Sequence, residues 1–195
     1  MTTTVCWREW DGEGREHCAC RIDAAGLTLE GVVAVTQEGF HGVHYLVRTD
    51  AAFRTREVRV AFVGGPALHM EADGEGSWRD AADGHPLPGL RGCVDVDIRV
   101  TPATNTLPIR RLGLAAGDSR DVAVAYVPLP DGAGGLGPRR VMQRYTRLDG
   151  PGRYRYEGLD SGFSAEIEVD AAGLVLDYPG VFRRSEPMTG ARASV

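Results

Sequence analysis

Apolar and polar residues alternate with a period of two along most of this 195-residue chain. "LTLEGVVAV", "GVHYLVRTD", "TREVRVAFV", "VDVDIRV", "DVAVAYV", "VMQRYTRL", "RYRYEG", "FSAEIEV" and "LVLDY" follow one another, each bounded by Gly, Pro, Asp or Asn. That period is the signature of half-buried strands, and turn signals every ~8–12 residues predict an all-β sandwich, barrel or roll. Helix is expected in one turn around Pro108 to Leu114, or in a short piece near Asp50 to Arg54.

Strict alternation assigns faces. Val94, Val96, Ile98 and Val100 share one face, with Asp95, Asp97 and Arg99 on the other. Phe163, Ala165, Ile167 and Val169 oppose Ser164, Glu166, Glu168 and Asp170. In both segments the acidic side is expected to face water. "DVAVAYV" and "GVVAV" are apolar on both faces, so these strands either lie in the middle of the fold or line an apolar cavity.

Between them lies "TPATNTLPIRRL", Thr101 to Leu112. Two prolines fix φ and withhold N–H donors, while Thr104, Asn105 and Thr106 bring short side chains that bond nearby backbone. The segment is expected to form a defined corner. It presents Arg110 and Arg111 near a strand end, where one guanidinium either pairs with Asp95 or Asp97 or meets an anionic or hydroxyl-rich group at a cavity mouth.

Two stretches, "IDAAGLTLE" (Ile22 to Glu30) and "VDAAGLVLD" (Val169 to Asp177), agree at six of nine positions. Asp-x-x-Gly suits a tight hairpin, and a duplicated half-meander would leave the same trace. Residues 1–184 are expected to form one β-roll domain, with Gly/Pro-rich loops at 72–92 and 128–138 and a flexible tail at 185–195.

Composition narrows the partners. The hydrophobic fraction is 43% and the charged fraction 25%, those of an ordinary globular protein. The net charge of -5 comes with no basic run, which points away from nucleic acid and from a polybasic membrane patch. All 22 basic side chains are arginine. No apolar run approaches the ~18 residues of a spanning helix, and "MTTTVCWREW" lacks a signal-peptide pattern, so the expected location is the cytoplasm. Four cysteines are then expected as reduced thiols.

Catalytic motifs are sparse. There is no G-x-S-x-G elbow, and "GAGGLG" precedes a strand rather than a helix that could hold a phosphate. "EHCAC" puts Cys18 and Cys20 on one face and His17 on the other, while His41 and His44 face opposite ways, so no metal site is expected. Nor is any cofactor. Paired carboxylates, Asp95 with Asp97 and Glu166 with Glu168, are the remaining enzyme signal.

"DVDIRVTPATNTLPIRRLGLAAGDSRDVAVAYVPLP", with "QRYTRL", "YRYEG" and "FSAEIEVDAAGLVLDYPGVFRR", resembles the bacterial putative glycolipid-binding proteins, formerly a family of unknown function, over about Trp7 to Arg184. The resemblance implies a single long, strongly curved antiparallel sheet forming a spiral β-roll or half-barrel, with little helix. It implies an amphipathic ligand such as a glycolipid on the concave face. Positions matching the family pattern include Asp97, Asn105, Arg110, Arg111, Gln143, Arg144, Tyr145, Asp177 and Tyr178; Trp78, Tyr126, Tyr145 and Phe163 become candidate cavity walls. Two other readings stand beside this one: a structural or oligomer-forming roll filled by its own side chains, and a small-molecule enzyme using Asp97, Glu166 or Glu168. An open roll has edge strands that invite pairing, so a homodimer is one expected assembly.

Overall fold

The computed structural model describes residues 2–36, 39–130 and 135–185. A seven-strand meander comes first: β1 (Thr2–Glu9), β2 (Arg15–Asp23), β3 (Gly26–Val35), β4 (His41–Thr49), β5 (Thr55–Phe62), β6 (Ala67–Ala72) and β7 (Trp78–Asp80). After a long connection come β8 (Asp95–Ile98), the helix α1 (Thr106–Leu112) and β9 (Ser119–Val127). The second meander is completed by β10 (Arg139–Arg147), β11 (Arg153–Gly158), β12 (Phe163–Val169), β13 (Val175–Tyr178) and β14 (Phe182–Arg184).

All 14 strands belong to one sheet, in the order β7-β6-β5-β4-β3-β2-β1-β14-β13-β12-β11-β10-β9-β8. The first and last strands therefore meet in its middle, with Trp7 opposite Arg184 and Glu9 opposite Phe182. Neighbours are antiparallel except β8 and β9, which run parallel. That pair makes the sheet mixed rather than purely antiparallel.

The sheet is strongly curved and does not close into a barrel. Its β8 end turns back into the hollow of the first meander, where the Thr55 N–H reaches the Val94 carbonyl at 3.1 Å and the Trp78 indole N–H reaches the Cys93 carbonyl at 2.8 Å. Two cores result. One packs Trp7, Leu29, Tyr45 and Val58 of the first meander against Val96, Ile98 and Leu107. The other gathers Val122, Val124, Tyr145, Tyr156, Ile167 and Tyr178 of the second.

The doubly apolar "DVAVAYV" follows from this arrangement. Strand β9 is an internal wall, with Ala125 and Val127 facing the first core and Val122 and Val124 the second. Strand β8 extends that wall, so Val96 and Ile98 fill the first core while Asp95 and Asp97 look the other way. The acidic face of "VDVDIRV" is therefore not a solvated one: Asp95 is 0% exposed and Asp97 is half-buried. The expected solvated face holds on β12, where Glu166 and Glu168 are exposed. "GVVAV" is also simpler than expected, since Val33 and Val35 point inward while Val32 is 60% exposed.

The corner sits where the two cores meet, and residues 101–109 are all buried. One turn of 3-10 helix (Ala103–Asn105) leads into α1, which ends at Gly113 with φ of 54°, a left-handed cap. The Asp50–Arg54 stretch is a turn rather than a helix, with the Asp50 carboxylate accepting the Ala52 and Arg54 N–H groups at 2.9 and 3.1 Å. Asp23, Asp73 and Asp170 do the same at the other turns of that end of the sheet. This shared turn chemistry accounts for the likeness of the two "DAAGL" hairpins, because Asp50 and Asp73 use it outside any repeat. The expected tail falls outside the described residues beyond Ser185, as do 131–134 of the second loop.

Candidate functional site

Every polar side chain of the corner is engaged. Thr101 donates its hydroxyl to Glu16 Oε1 at 2.7 Å and accepts the Ala103 N–H at 3.0 Å, which closes the turn. Thr104 accepts the Ile98 N–H at 3.3 Å, and Thr106 donates to the Gly173 carbonyl at 2.9 Å, pinning α1 to the turn between β12 and β13. Asn105 donates to the Pro102 carbonyl at 3.1 Å and accepts the Tyr145 hydroxyl at 2.9 Å.

The two arginines brace this plug. Arg111 grips Asp95 with two parallel hydrogen bonds of 3.0 and 2.5 Å. Burial raises the Asp95 carboxyl above its usual range, and the guanidinium pulls it back. Arg110 donates to the Ala172 carbonyl at 2.9 Å and lies over the Phe53 ring, 4.6 Å from its centroid. Neither contributes to the wall of the cavity described next.

Between the corner and the second meander lies a cavity of about 670 Å³. Its wall is aromatic on the side of β11 to β13: Tyr156, Phe163 and Tyr178 lie within 6.1 Å of one another, centroid to centroid, in tilted and edge-to-face pairs. The hydroxyls of Tyr156 and Tyr178 have no hydrogen-bond partner among the described residues. Tyr126 flanks the cavity with Arg139 stacked 4.9 Å above its ring.

The opposite wall is polar. Asp97 stands there half-buried, its Oδ2 accepting the Gln143 amide at 2.6 Å and its Oδ1 only loosely held by Thr104 at 3.4 Å. Burial pushes the Asp97 carboxyl up, and the Gln143 and Thr104 hydrogen bonds offset part of that rise. Asn105 lines the cavity beside it, and Tyr145 lies behind, tied to Asn105. The arrangement offers acceptors and an amide to a hydroxyl-bearing group and flat apolar faces to its neighbour.

The structure thus brings together Asp97, Asn105, Tyr126, Gln143 and Phe163 on one cavity, with Tyr145 supporting them. It places the others elsewhere. Trp78 is 4% exposed at the far edge of the sheet, bonded to Cys93, beside a separate polar groove. Asp177 and Arg144 lie outside the cavity, and Arg144 pairs with Asp121 at 2.6 Å. Glu166 faces solvent between Arg153 and Arg155, outside the cavity that Asp97 lines. Sequence reasoning passed over Tyr156, although "RYRYEG" puts Tyr154 and Tyr156 on one face and the signal was there to read.

A family profile described as "Putative glycolipid-binding" matches residues 4–184. The chain belongs to that family. A crystal structure of a DUF1089 family protein from Pseudomonas aeruginosa is similar over 91% of this chain and 95% of its own, with 39% identity and a TM-score of 0.75. Among curated proteins no sequence matches. For this member of the family, no described helix is long and apolar enough to cross a membrane. Likewise no cluster of three or more metal-ligating side chains occurs among the described residues.

Proposed function

We propose that this protein binds an amphipathic molecule, such as a glycolipid, in the cavity between the corner and the second meander. The carrying observation is a cavity of about 670 Å³ with an aromatic wall facing a half-buried carboxylate. Ligand sites combine apolar walls with a few placed polar groups, and 670 Å³ falls within the usual ~300–1,000 Å³. The apolar part of the ligand packs against Tyr156, Phe163 and Tyr178. Its hydroxyl-bearing part reaches Asp97, Gln143 and Asn105, with Asp97 Oδ1 as the least engaged acceptor. The family description supports a binding role of this kind.

The alternative of a roll filled by its own side chains fits the first core, which packs Trp7, Tyr45 and Ile98 with no exposure above 1%. The binding reading is supported by the cavity beside the second core, where Tyr156, Tyr178 and Phe182 leave space unfilled.

The test is calorimetric titration with octyl glucoside below its micelle concentration, together with native mass spectrometry of the purified protein. Asp97→Asn keeps the shape but weakens the acceptor, and is expected to lower affinity about tenfold, as loss of a charge-assisted hydrogen bond does. Tyr156→Ala is expected to lower it further. Absence of a co-purifying small molecule in several hosts, with no heat of binding for octyl glucoside, would refute the proposal.

A further inference from the structure

Antiparallel meanders place their turns alternately at two ends, and the two ends of this sheet differ in chemistry. At one end the turns carry Asp23, Asp50, Asp73, Asp149 and Asp170, several capping their own backbone. The cavity opens toward the other end, where Val35 of β3, Gly158 of β11, Phe163 of β12 and Val181 between β13 and β14 all contribute to its wall.

The exposed large apolar residues collect at that second end. Phe40, just before β4, is 89% exposed, and Val63, just after β5, is 84% exposed. Leu159 and Phe163, at the turn from β11 to β12, are 40% and 43% exposed. Val32, at 60%, lies three residues from the same end of β3. Phe40 and Val63 are on neighbouring tips, since the Val63 N–H bonds the Gly42 carbonyl at 2.8 Å. Arg139 and Arg140 stand at the start of β10 on this rim, exposed and without a carboxylate partner among the described residues.

We infer that this rim is a docking surface for a lipid bilayer bearing anionic head groups. Single apolar side chains carried on separate hairpin tips do not form a groove that would hold a folded partner. They suit a fluid interface, into which each tip inserts independently while nearby arginines meet head groups. Arg139 and Arg140 supply the cationic contact at the start of β10, on a different tip from the rim's own acidic residues, Asp11 and Glu13 between β1 and β2 and Asp160 between β11 and β12. The inference rests on the proposed amphipathic ligand only for what passes between bilayer and cavity; the docking itself is a separate claim.

Sedimentation with sucrose-loaded vesicles tests it, using phosphatidylcholine alone and phosphatidylcholine containing phosphatidylglycerol. The protein is expected to partition onto the anionic vesicles. Phe40→Asp with Val63→Asp is expected to reduce that partition at least tenfold, with unchanged melting temperature and unchanged octyl glucoside titration, since neither residue touches the cavity. Arg140→Gln is expected to weaken binding to anionic vesicles several-fold and to leave neutral ones unaffected. A protein that ignores both vesicles, or a double variant that binds as well as the parent, overturns the inference. So does a concentration-dependent dimer in sedimentation velocity that the double variant abolishes, which would make the rim a contact between copies. If vesicle binding holds and octyl glucoside titration fails, the proposed function falls and the docking surface stands.

Discussion

Glu16 is the residue whose burial has the clearest consequence. It is 3% exposed on the inner face of β2, and Gly31 on the adjacent strand leaves room for the Tyr45 ring to lie across and donate to Glu16 Oε1 at 2.5 Å. Thr101 donates to the same oxygen, while Oε2 has no hydrogen-bond partner among the described residues. Burial lifts the carboxyl from an ordinary 4.5 to about 8, against the two hydrogen bonds that favour the anion. The folded state therefore holds a proton that the unfolded state releases between those values. Stability from this group is full below 4.5, declines as pH rises through the window and is flat above about 8, with a slope of at most about 1.4 kcal/mol per pH unit. Glu16→Gln, an uncharged isostere, is expected to flatten that decline. Urea midpoints from pH 5 to 9 measure it, and parallel curves for parent and variant would contradict the assignment.

At the scale of the element, the corner explains both what was legible and what was not. Prolines, threonines and paired arginines announce a fixed turn, and the structure uses them as one. The period of two correctly announces strands almost everywhere. What alternation does not reveal is which side of a strand is inside when a sheet winds back on itself: Asp95 and Asp97 read as a solvated face because nothing local says that β8 lies inside the roll. Of the two roles open to the arginines, a carboxylate partner or a cavity mouth, the structure shows the first for Arg111, which makes a buried Asp95 tolerable. Removing one member of a buried pair leaves an uncompensated charge, so Arg111→Ala is expected to cost about 3–5 kcal/mol. Adding Asp95→Asn to that variant is expected to recover part of the loss. Denaturant melts of the two variants measure this, and a loss below about 1 kcal/mol for Arg111→Ala would show that the pair is not structural.

For the whole molecule, the ladders are shortest around the junction of the two meanders, where β12–β13 and β13–β14 pair at two register positions each. β1 and β14 share three register pairs, whereas β1 and β2 share seven and β2 and β3 nine. So short a ladder would let the halves separate, and cooperativity must come from side chains that cross it. Trp7 is the central one: fully buried in the first core, it donates its indole N–H at 2.8 Å to the carbonyl of Val175, a member of the second. Arg184 crosses from β14 to lie 5.8 Å from the Trp7 ring centroid and is itself held within the second meander by Asp170 at 2.7 Å and the Leu174 carbonyl at 2.9 Å, while Thr106 and Arg110 tie the plug to that same turn. Trp7→Phe removes the hydrogen bond and part of the buried area, and is expected to cost about 2–3 kcal/mol with the denaturant slope unchanged. Trp7→Ala, at about 3–5 kcal/mol, also opens a void at the junction. With that staple gone the two halves are expected to lose their common transition, so that tyrosine signals from the second core melt apart from far-ultraviolet circular dichroism. Coincident curves in Trp7→Ala would mean that the plug around Thr106 and Arg110 holds the halves together without it.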